Sequence, residues 1–312
     1  MFSMKLKILF STILFITFTN VICQNIGNPT QYTLNPISIN PAFAGGREAL
    51  NISSFFQEKW SGINGAPSTF SLSVDAPLFD NTIGLGVMYT KDTYGVTDDD
   101  KFYLSYSYRI YWGKSVLSLG LGAGINNTQT RYSDLTVIDA GDDIYLQKSK
   151  SYLKPNFRFG IFYSFKDLYF GFSVPEAVNY AFDKINDEYI VDFDFKYYEY
   201  LYNIGYVIRV TPNFKVYPSG LVSYMSQRNS SKYYYDARFH LGFFDKVWFG
   251  GSYRSERSLG SLIQVQLNNQ LSIAYSYDFD IGQLSRYSNG THGIMLRYVF
   301  QHKGDAISPL LF

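Results

Sequence analysis

Apolar side chains return at every second position along most of this chain. Phe70, Leu72, Val74 and Ala76 interleave with Ser71, Ser73 and Asp75, and Ile83, Leu85, Val87 and Tyr89 with Gly84, Gly86 and Met88. Phe102, Leu104, Tyr106, Tyr108, Ile110 and Trp112 alternate with Tyr103, Ser105, Ser107 and Arg109. The same beat recurs at 117–125, 157–165, 168–174, 198–210, 233–243, 247–253, 263–267, 271–279 and 292–300. A period of two places successive side chains on opposite faces of an extended strand. The chain is therefore read as all-β. Segments 49–59 and 214–226 read as strands with a less distinct face, which brings the total to about fourteen strands of roughly 8 to 13 residues.

The connections narrow the architecture further. Every second one is tiny: Gly113-Lys114, Lys166-Asp167, Thr211-Pro212-Asn213, Asp245-Lys246 and Asn268-Asn269. The others, at 93–100, 131–151, 175–197, 227–232 and 280–290, read as longer and polar. Tight turns at one end and long loops at the other are the pattern of an outer-membrane β-barrel, with the turns in the periplasm. An even strand count puts both termini on that side. A secreted β-sandwich also alternates, but with strands of about 5 to 6 residues and no loop asymmetry. Aromatics cluster near strand ends, at Tyr106, Tyr108, Tyr111 and Trp112 and again at Tyr197, Tyr198, Tyr200 and Tyr202. An interfacial girdle needs such clusters.

Composition agrees. Aromatics make up 19% of the 312 residues, and charged residues only 17%, against about 25% in an average soluble domain. The formal net charge of +1 gives a nucleic acid no electrostatic hold. Lys5 and Lys7 precede an apolar stretch, Ile8 to Phe18, too short to span a bilayer but suited to a signal peptide covering residues 1–23. Cys23, the single cysteine, stands at the cleavage position. A lipoprotein signal acylated at Cys23 is the rival, and Ile22 occupies the place where that signal wants a small residue. Cleavage after Cys23 leaves no thiol, so no disulfide supports the fold.

Inward faces carry small and polar residues: Ser105, Ser107 and Arg109; Gly120, Gly122 and Gly124; Arg158 and Gly160; Asn203, Gly205 and Arg209. A barrel of about fourteen strands is too wide to be filled by its own wall. Residues 24–46 lack alternation and contain Asn35-Pro36 and Asn40-Pro41, which favour turns over helix. This segment reads either as a periplasmic strap or as a plug. The barrel proper is assigned to 47–300 and a tail to 301–312.

Little in the chain suggests catalysis or a cofactor. His240, His292 and His302 come with no nucleophile motif, and no His or Cys pairing suits zinc. Gly120-x-Gly122-x-Gly124 lies inside a strand pattern with no helix after it, so it reads as close inward packing rather than a phosphate loop. The acidic runs Asp98-Asp99-Asp100, Asp142-Asp143 and Asp278-x-Asp280 fall in or beside the expected outer loops. They read as solvated charge, with calcium as the alternative. No cofactor is expected.

The segment Gln31-Tyr-Thr-Leu-Asn35-Pro36-Ile-Ser-Ile-Asn40-Pro41-Ala42-Phe-Ala44-Gly45 resembles the opening signature of the PorP/SprF family of outer-membrane proteins of the type IX secretion system. The resemblance continues through Gln57-x-x-Trp60-x-Gly62-x-x-Gly65-Ala66-Pro67-x-Thr69, Asp75-Ala-Pro77-Leu78, Gly84-Leu-Gly86 and Asp92-x-x-Gly95. It returns in Tyr275-Ser-Tyr277-Asp278 and in Gly290-Thr-His292-x-Ile294-Met295-Leu296-x-Tyr298-x-Phe300. The tail 301–312 runs on past that aromatic-ended strand, and 131–151 and 175–197 match nothing in the pattern. The resemblance implies an outer-membrane barrel, set in lipid, that serves export or surface anchoring of large adhesins in gliding motility. It implies as partners the periplasmic ring subunits of the machinery and a large secreted cargo or its C-terminal domain. The candidate partner-binding residues are Asn35, Pro36, Asn40, Pro41, Ala42, Ala44 and Gly45, with Trp60, Gly65, Ala66 and Pro67. The plainer view is that these residues only shape turns at the barrel rim. Two rival functions are an autonomous porin or hydrophobic-solute channel and a surface adhesin in its own right.

Overall fold

A computed structural model describes residues 29–132, 150–183, 188–192, 194–227, 230–255 and 258–300. The expected signal peptide, the tail, Asp142-Asp143 and His302 lie outside these residues.

Seventeen strands follow a short helix, α1 (Pro29–Leu34), and two 3-10 turns, Pro36–Ser38 and Pro41–Phe43. They are β1 (Leu50–Glu58), β2 (Ser68–Leu78), β3 (Ile83–Tyr94), β4 (Thr97–Trp112), β5 (Ser115–Thr130), β6 (Lys150–Phe165) and β7 (Leu168–Val174). Next come β8 (Asn179–Asp183), β9 (Glu188–Asp192), β10 (Glu199–Tyr206), β11 (Ile208–Thr211), β12 (Phe214–Gln227) and β13 (Ser230–Phe243). The last four are β14 (Val247–Arg254), β15 (Ser258–Gln266), β16 (Leu271–Asp280) and β17 (Thr291–Phe300). β8 and β9 form a separate hairpin in the connection after β7. β10 and β11 are two halves of one wall strand, interrupted at Val207, so the wall is a closed antiparallel barrel of fourteen strands. Each strand pairs with its neighbour in sequence, and the seam joins β1 to β17 from Leu50↔Phe300 to Glu58↔His292. Closure leaves no strand edge facing hydrocarbon, where an unpaired backbone group costs several kcal/mol (order of magnitude).

The alternation resolves into two surfaces. Leu85, Val87, Leu104, Tyr106, Leu121, Phe157, Phe159, Ile204 and Phe239 point outward and are exposed in the isolated chain. Their register partners' neighbours Ser71, Ser73, Ser105, Ser107, Arg109, Arg158, Asn203, Arg238 and Arg297 point inward and are buried. This is a membrane barrel turned inside out relative to a soluble core, with lipid as solvent for the apolar face. Ring pairs mark both ends of the wall. Tyr224–Tyr233 (4.9 Å) and Tyr200–Tyr224 (6.5 Å) lie toward the loop end, Phe214–Phe243 (5.0 Å) and Trp112–Tyr163 (6.1 Å) at the turn end. Tyr198, expected in the girdle, is instead buried against Val174 and Ala177.

Two expectations need correction. Segments 93–100 and 227–232 are not long loops. β3 and β4 pair as far as Tyr94↔Thr97, and β12 and β13 as far as Gln227↔Ser230. The acidic run Asp98–Asp100 therefore sits in the β4 ladder. Its carboxylates accept from Thr93 (2.8 Å), Tyr94 (2.8 Å) and Tyr89 (2.6 Å). Here the strands outrun the apolar band into water, so period two persists in the backbone while the hydrophobic signal stops. Arg209 keeps the inward beat of Asn203, Gly205 and Val207, opposite Lys215, and the strand bulges only after it, between Arg209 and Thr211. Its exposed guanidinium pairs with Asp167 at the turn rim, at 2.5 Å.

Candidate functional site

The lumen is occupied by residues 32–45. The local fold follows from the two Asn-Pro pairs. Each proline starts a 3-10 turn, where its missing N–H costs nothing. Asn40 caps the second turn, its side-chain oxygen accepting from the Ala42 N–H at 2.9 Å. The result is a compact zigzag that leaves the Leu34, Ser38 and Ala44 carbonyls turned toward the wall.

The wall meets it with donors. The Arg297 guanidinium of β17 donates to the Leu34 carbonyl, which also accepts from Arg47 at 3.3 Å. Arg158 of β6 donates to the Ser38 carbonyl. Arg109 of β4 donates to the Ala44 carbonyl, joined there by Ser107 Oγ at 2.8 Å. Asn35 Nδ2 donates to Ser73 Oγ of β2 at 2.7 Å, and Asn40 Nδ2 to the carbonyls of Ile161 (3.1 Å) and Phe172 (3.3 Å). Asp75 accepts the Gly45 N–H at 2.9 Å and Asn51 Nδ2 at 2.7 Å. Apolar contacts complete the fit: Phe43 packs on Phe162 with ring centroids 4.4 Å apart, and Arg238 lies over the Tyr32 ring at 4.1 Å. The segment thus touches β2, β4, β6, β7, β13 and β17, well around the circumference.

Four wall glycines, Gly84, Gly86, Gly120 and Gly160, make room for it. A methyl group at Gly120 would overlap the Ala42 backbone nitrogen, and one at Gly160 the Asn40 side chain. Residues 32–45 carry no charge of their own, so the wall's buried cations need other counterions. Asp236 supplies one, accepting from Arg238 at 2.7 Å and Arg254 at 2.9 Å, while Arg254 also reaches Asp278 at 2.7 Å. All four side chains are nearly or completely buried.

The eleven sequence-derived candidates fall into two places. Asn35, Asn40, Pro41, Ala42, Ala44 and Gly45 are buried in the lumen with Pro36 partly so, and both asparagine side chains are spent on the wall. Trp60, Gly65, Ala66 and Pro67 lie at the loop end, in the connection between β1 and β2. That connection is tied to the rim: Ser61 and Gly290 share a backbone hydrogen bond at 2.8 Å, and Gly95 N–H reaches the Gly65 carbonyl at 2.9 Å. The Trp60 N–H donates to Thr291 Oγ1 at 3.2 Å. The sequence alone singles out Arg109 and Arg158 and sets Ser73 and Asp75 on the polar beat of their strand, but it leaves Arg238 and Arg297 unmarked. The signal was available, since a charged residue on the polar beat of an apolar strand must face inward.

His240 is buried on the inner wall. His292 is at the outer end with Nδ1 2.7 Å from Tyr275 Oη. Among the described residues no three His, Cys, Asp or Glu side chains are grouped to hold a metal.

The family model described as "Type IX secretion system membrane protein PorP/SprF" matches residues 23–298. A comparison with curated proteins found no match. Among solved structures, the toluene transporter TbuX of Ralstonia pickettii is similar at a TM-score of 0.51 and 12% identity, covering 84% of this chain and 92% of that one. The CymD monoaromatic hydrocarbon channel gives 0.51 and 11%, covering 89% and 94%. The P. putida toluene transporter TodX gives 0.51 and 8%, covering 86% and 95%. At these identities the likeness is one of fold, that of an outer-membrane barrel.

Proposed function

The chain belongs to the PorP/SprF family of type IX secretion system membrane proteins, and from that premise we propose that it supports export or surface anchoring of a large adhesin-type cargo in gliding motility. It does so by protein–protein contact at its two rims rather than by conducting solutes. The outer-membrane barrel is the family's platform. Residues 1–23 act as a removable signal, 24–46 as the lumen plug, 47–300 as the barrel and 301–312 as a tail.

The observation that carries this reading is the filled lumen. Those six wall strands would have to release the segment 32–45 before solute could pass, and its hydrogen bonds join groups that are largely buried. An autonomous porin gains nothing from such an obstruction. The two rims remain as working surfaces. On the turn-side rim Phe79, Phe244 and Leu267 are exposed, and the same rim carries the Arg209–Asp167 and Lys215–Asp245 ion pairs, a mixed surface suited to periplasmic ring subunits. At the loop side the pinned connection with Trp60 and Gly65-Ala66-Pro67 presents a shaped rim to the C-terminal domain of a cargo.

The test is a mild-detergent pull-down of the tagged protein from native outer membranes, with partners identified by mass spectrometry. Recovery of a large secreted protein or ring subunits is the expected result. Recovery of the folded barrel alone, in good yield, overturns the proposal and returns the channel to first place.

A further inference from the structure

Left-handed backbone is costly for a residue with a Cβ and suits glycine. Phe79, Asp80 and Asn81, three in a row in the turn between β2 and β3, adopt it with φ of 50°, 50° and 66°. Such a turn persists only where its surroundings over-determine it. Here the Thr82 N–H donates to the Phe79 carbonyl at 3.0 Å, and the Asn81 carbonyl accepts from Arg109 Nη1 at 2.8 Å and from Tyr111 Oη at 3.1 Å. Phe79 adds little to this hold, since its side chain is 75% exposed. The fold gives no reason for a phenylalanine there in place of glycine or asparagine.

The same hairpin end clasps the exit of the lumen segment. Asp75 accepts the Gly45 N–H, and a methyl group at Gly45 would overlap Ala76 and Pro77, so the segment lies directly on β2 just before the turn. Just after the turn, a methyl group at Gly84 would overlap the Ala44 carbonyl. Arg109 joins the two. One nitrogen of its guanidinium holds the Asn81 carbonyl of the turn, and another holds the Ala44 carbonyl of the segment. A turn that leaves its left-handed form withdraws the Asn81 carbonyl from Arg109 and shifts both strands of the clasp.

We propose that this turn is the release handle of the plug: a periplasmic protein takes Phe79 into an apolar pocket rimmed by basic side chains, the turn unwinds, and Ala44 and Gly45 come free. The inference rests on the turn-side contact proposed above and adds what that contact does. The basic rim follows from charge. Asp80 and Glu48 are both exposed, and Glu48 stands close enough to Arg109 and Tyr111 for its charge to act on both. Two carboxylates disfavour an anionic lipid surface and complement a cationic pocket. Coupling of this kind is reciprocal, so a partner that favours the open lumen binds more tightly once the plug is gone.

The test takes two measurements on the full-length protein, each variant first checked for heat-modifiable folding. In planar bilayers Phe79→Gly, which suits the left-handed form, should stay silent like the wild type. Asn81→Pro, whose ring fixes φ at about −65°, should open intermittently. Asp245→Pro, in the left-handed Phe244-Asp245 turn between β13 and β14, should stay silent. Asn81→Val, β-branched and also ill suited to positive φ, replaces the proline variant if that one does not fold. In pull-downs from native outer membranes, the chain lacking residues 29–46 should recover at least about fivefold more periplasmic ring subunit than the wild type. A silent Asn81 variant, an Asp245→Pro variant as open as it, or recovery indifferent to the deletion overturns the handle. Absence of ring subunits from both the wild type and the deletion overturns instead the turn-side contact on which the handle rests.

Discussion

Arg297, in the last strand of the wall, donates a hydrogen bond to the backbone carbonyl of Leu34, 263 residues earlier in the chain. Both residues are buried, so the bond is made where water competes little, and it ties the lumen segment to the strand that closes the barrel.

Replacing Arg297 by Met keeps the length of the side chain and removes its donors. The Leu34 carbonyl then keeps only Arg47. Loss of the charge-assisted bond should cost about 1–3 kcal/mol, read as a lower urea midpoint of the heat-modifiable folded form. An unchanged midpoint would mean that the lumen segment adds nothing to barrel stability.

Conductance addresses the segment directly. The wild-type barrel should be silent in planar bilayers, and deletion of residues 29–46 should produce discrete open channels. Gly120→Val should give an intermediate phenotype, with intermittent opening, because its side chain collides with the Ala42 backbone. Wild-type currents equal to those of the deletion would refute the plug.

Asp236 is the counterion shared by Arg238 and Arg254. Asp236→Asn removes a buried carboxylate that two guanidinium groups share, leaving Arg254 its pair with Asp278, and the folded barrel should lose about 3–5 kcal/mol. Asp236→Glu should recover part of that loss. If the Asn variant folds and melts as wild type, the three groups do not act as a unit.

The turn-side rim predicts a partner phenotype without a folding one. Phe79→Asp combined with Phe244→Asp alters two exposed turn residues outside the ladder. Folding into detergent should be retained, while recovery of periplasmic ring subunits falls at least about tenfold, which one or two lost anchor residues of about 1–2 kcal/mol each would produce. Undiminished recovery would move the contact to another surface.

Much of this wall was legible in the sequence because hydrocarbon enforces a rule at every position it touches. Leu85, Val87 and Leu104 must face out, so Gly86 and Ser105 must face in, and the strand count follows. The rule lapses where lipid ends. Asp98–Asp100 keep β4 paired without an apolar beat, and Gln227–Ser230 does the same for β12 and β13. The bulge that follows Arg209 has no hydrophobic signature either. The lumen segment was half legible. Asn40-Pro41 announces a capped turn, but which carbonyls meet which arginines depends on residues more than a hundred positions away. Nothing local marks Ser38 as the partner of Arg158, or Leu34 as that of Arg297.

The seam between β1 and β17 also joins the two ends of the chain. The strand that seals the wall is the strand that carries Arg297, so one element both closes the sheet and grips the Leu34 carbonyl. A chain without it would have an open side and one tie fewer on its beginning. The ties from Ser73, Asp75, Arg109 and Arg158 lie in earlier strands, so the closing strand completes a grip that the rest of the wall already holds.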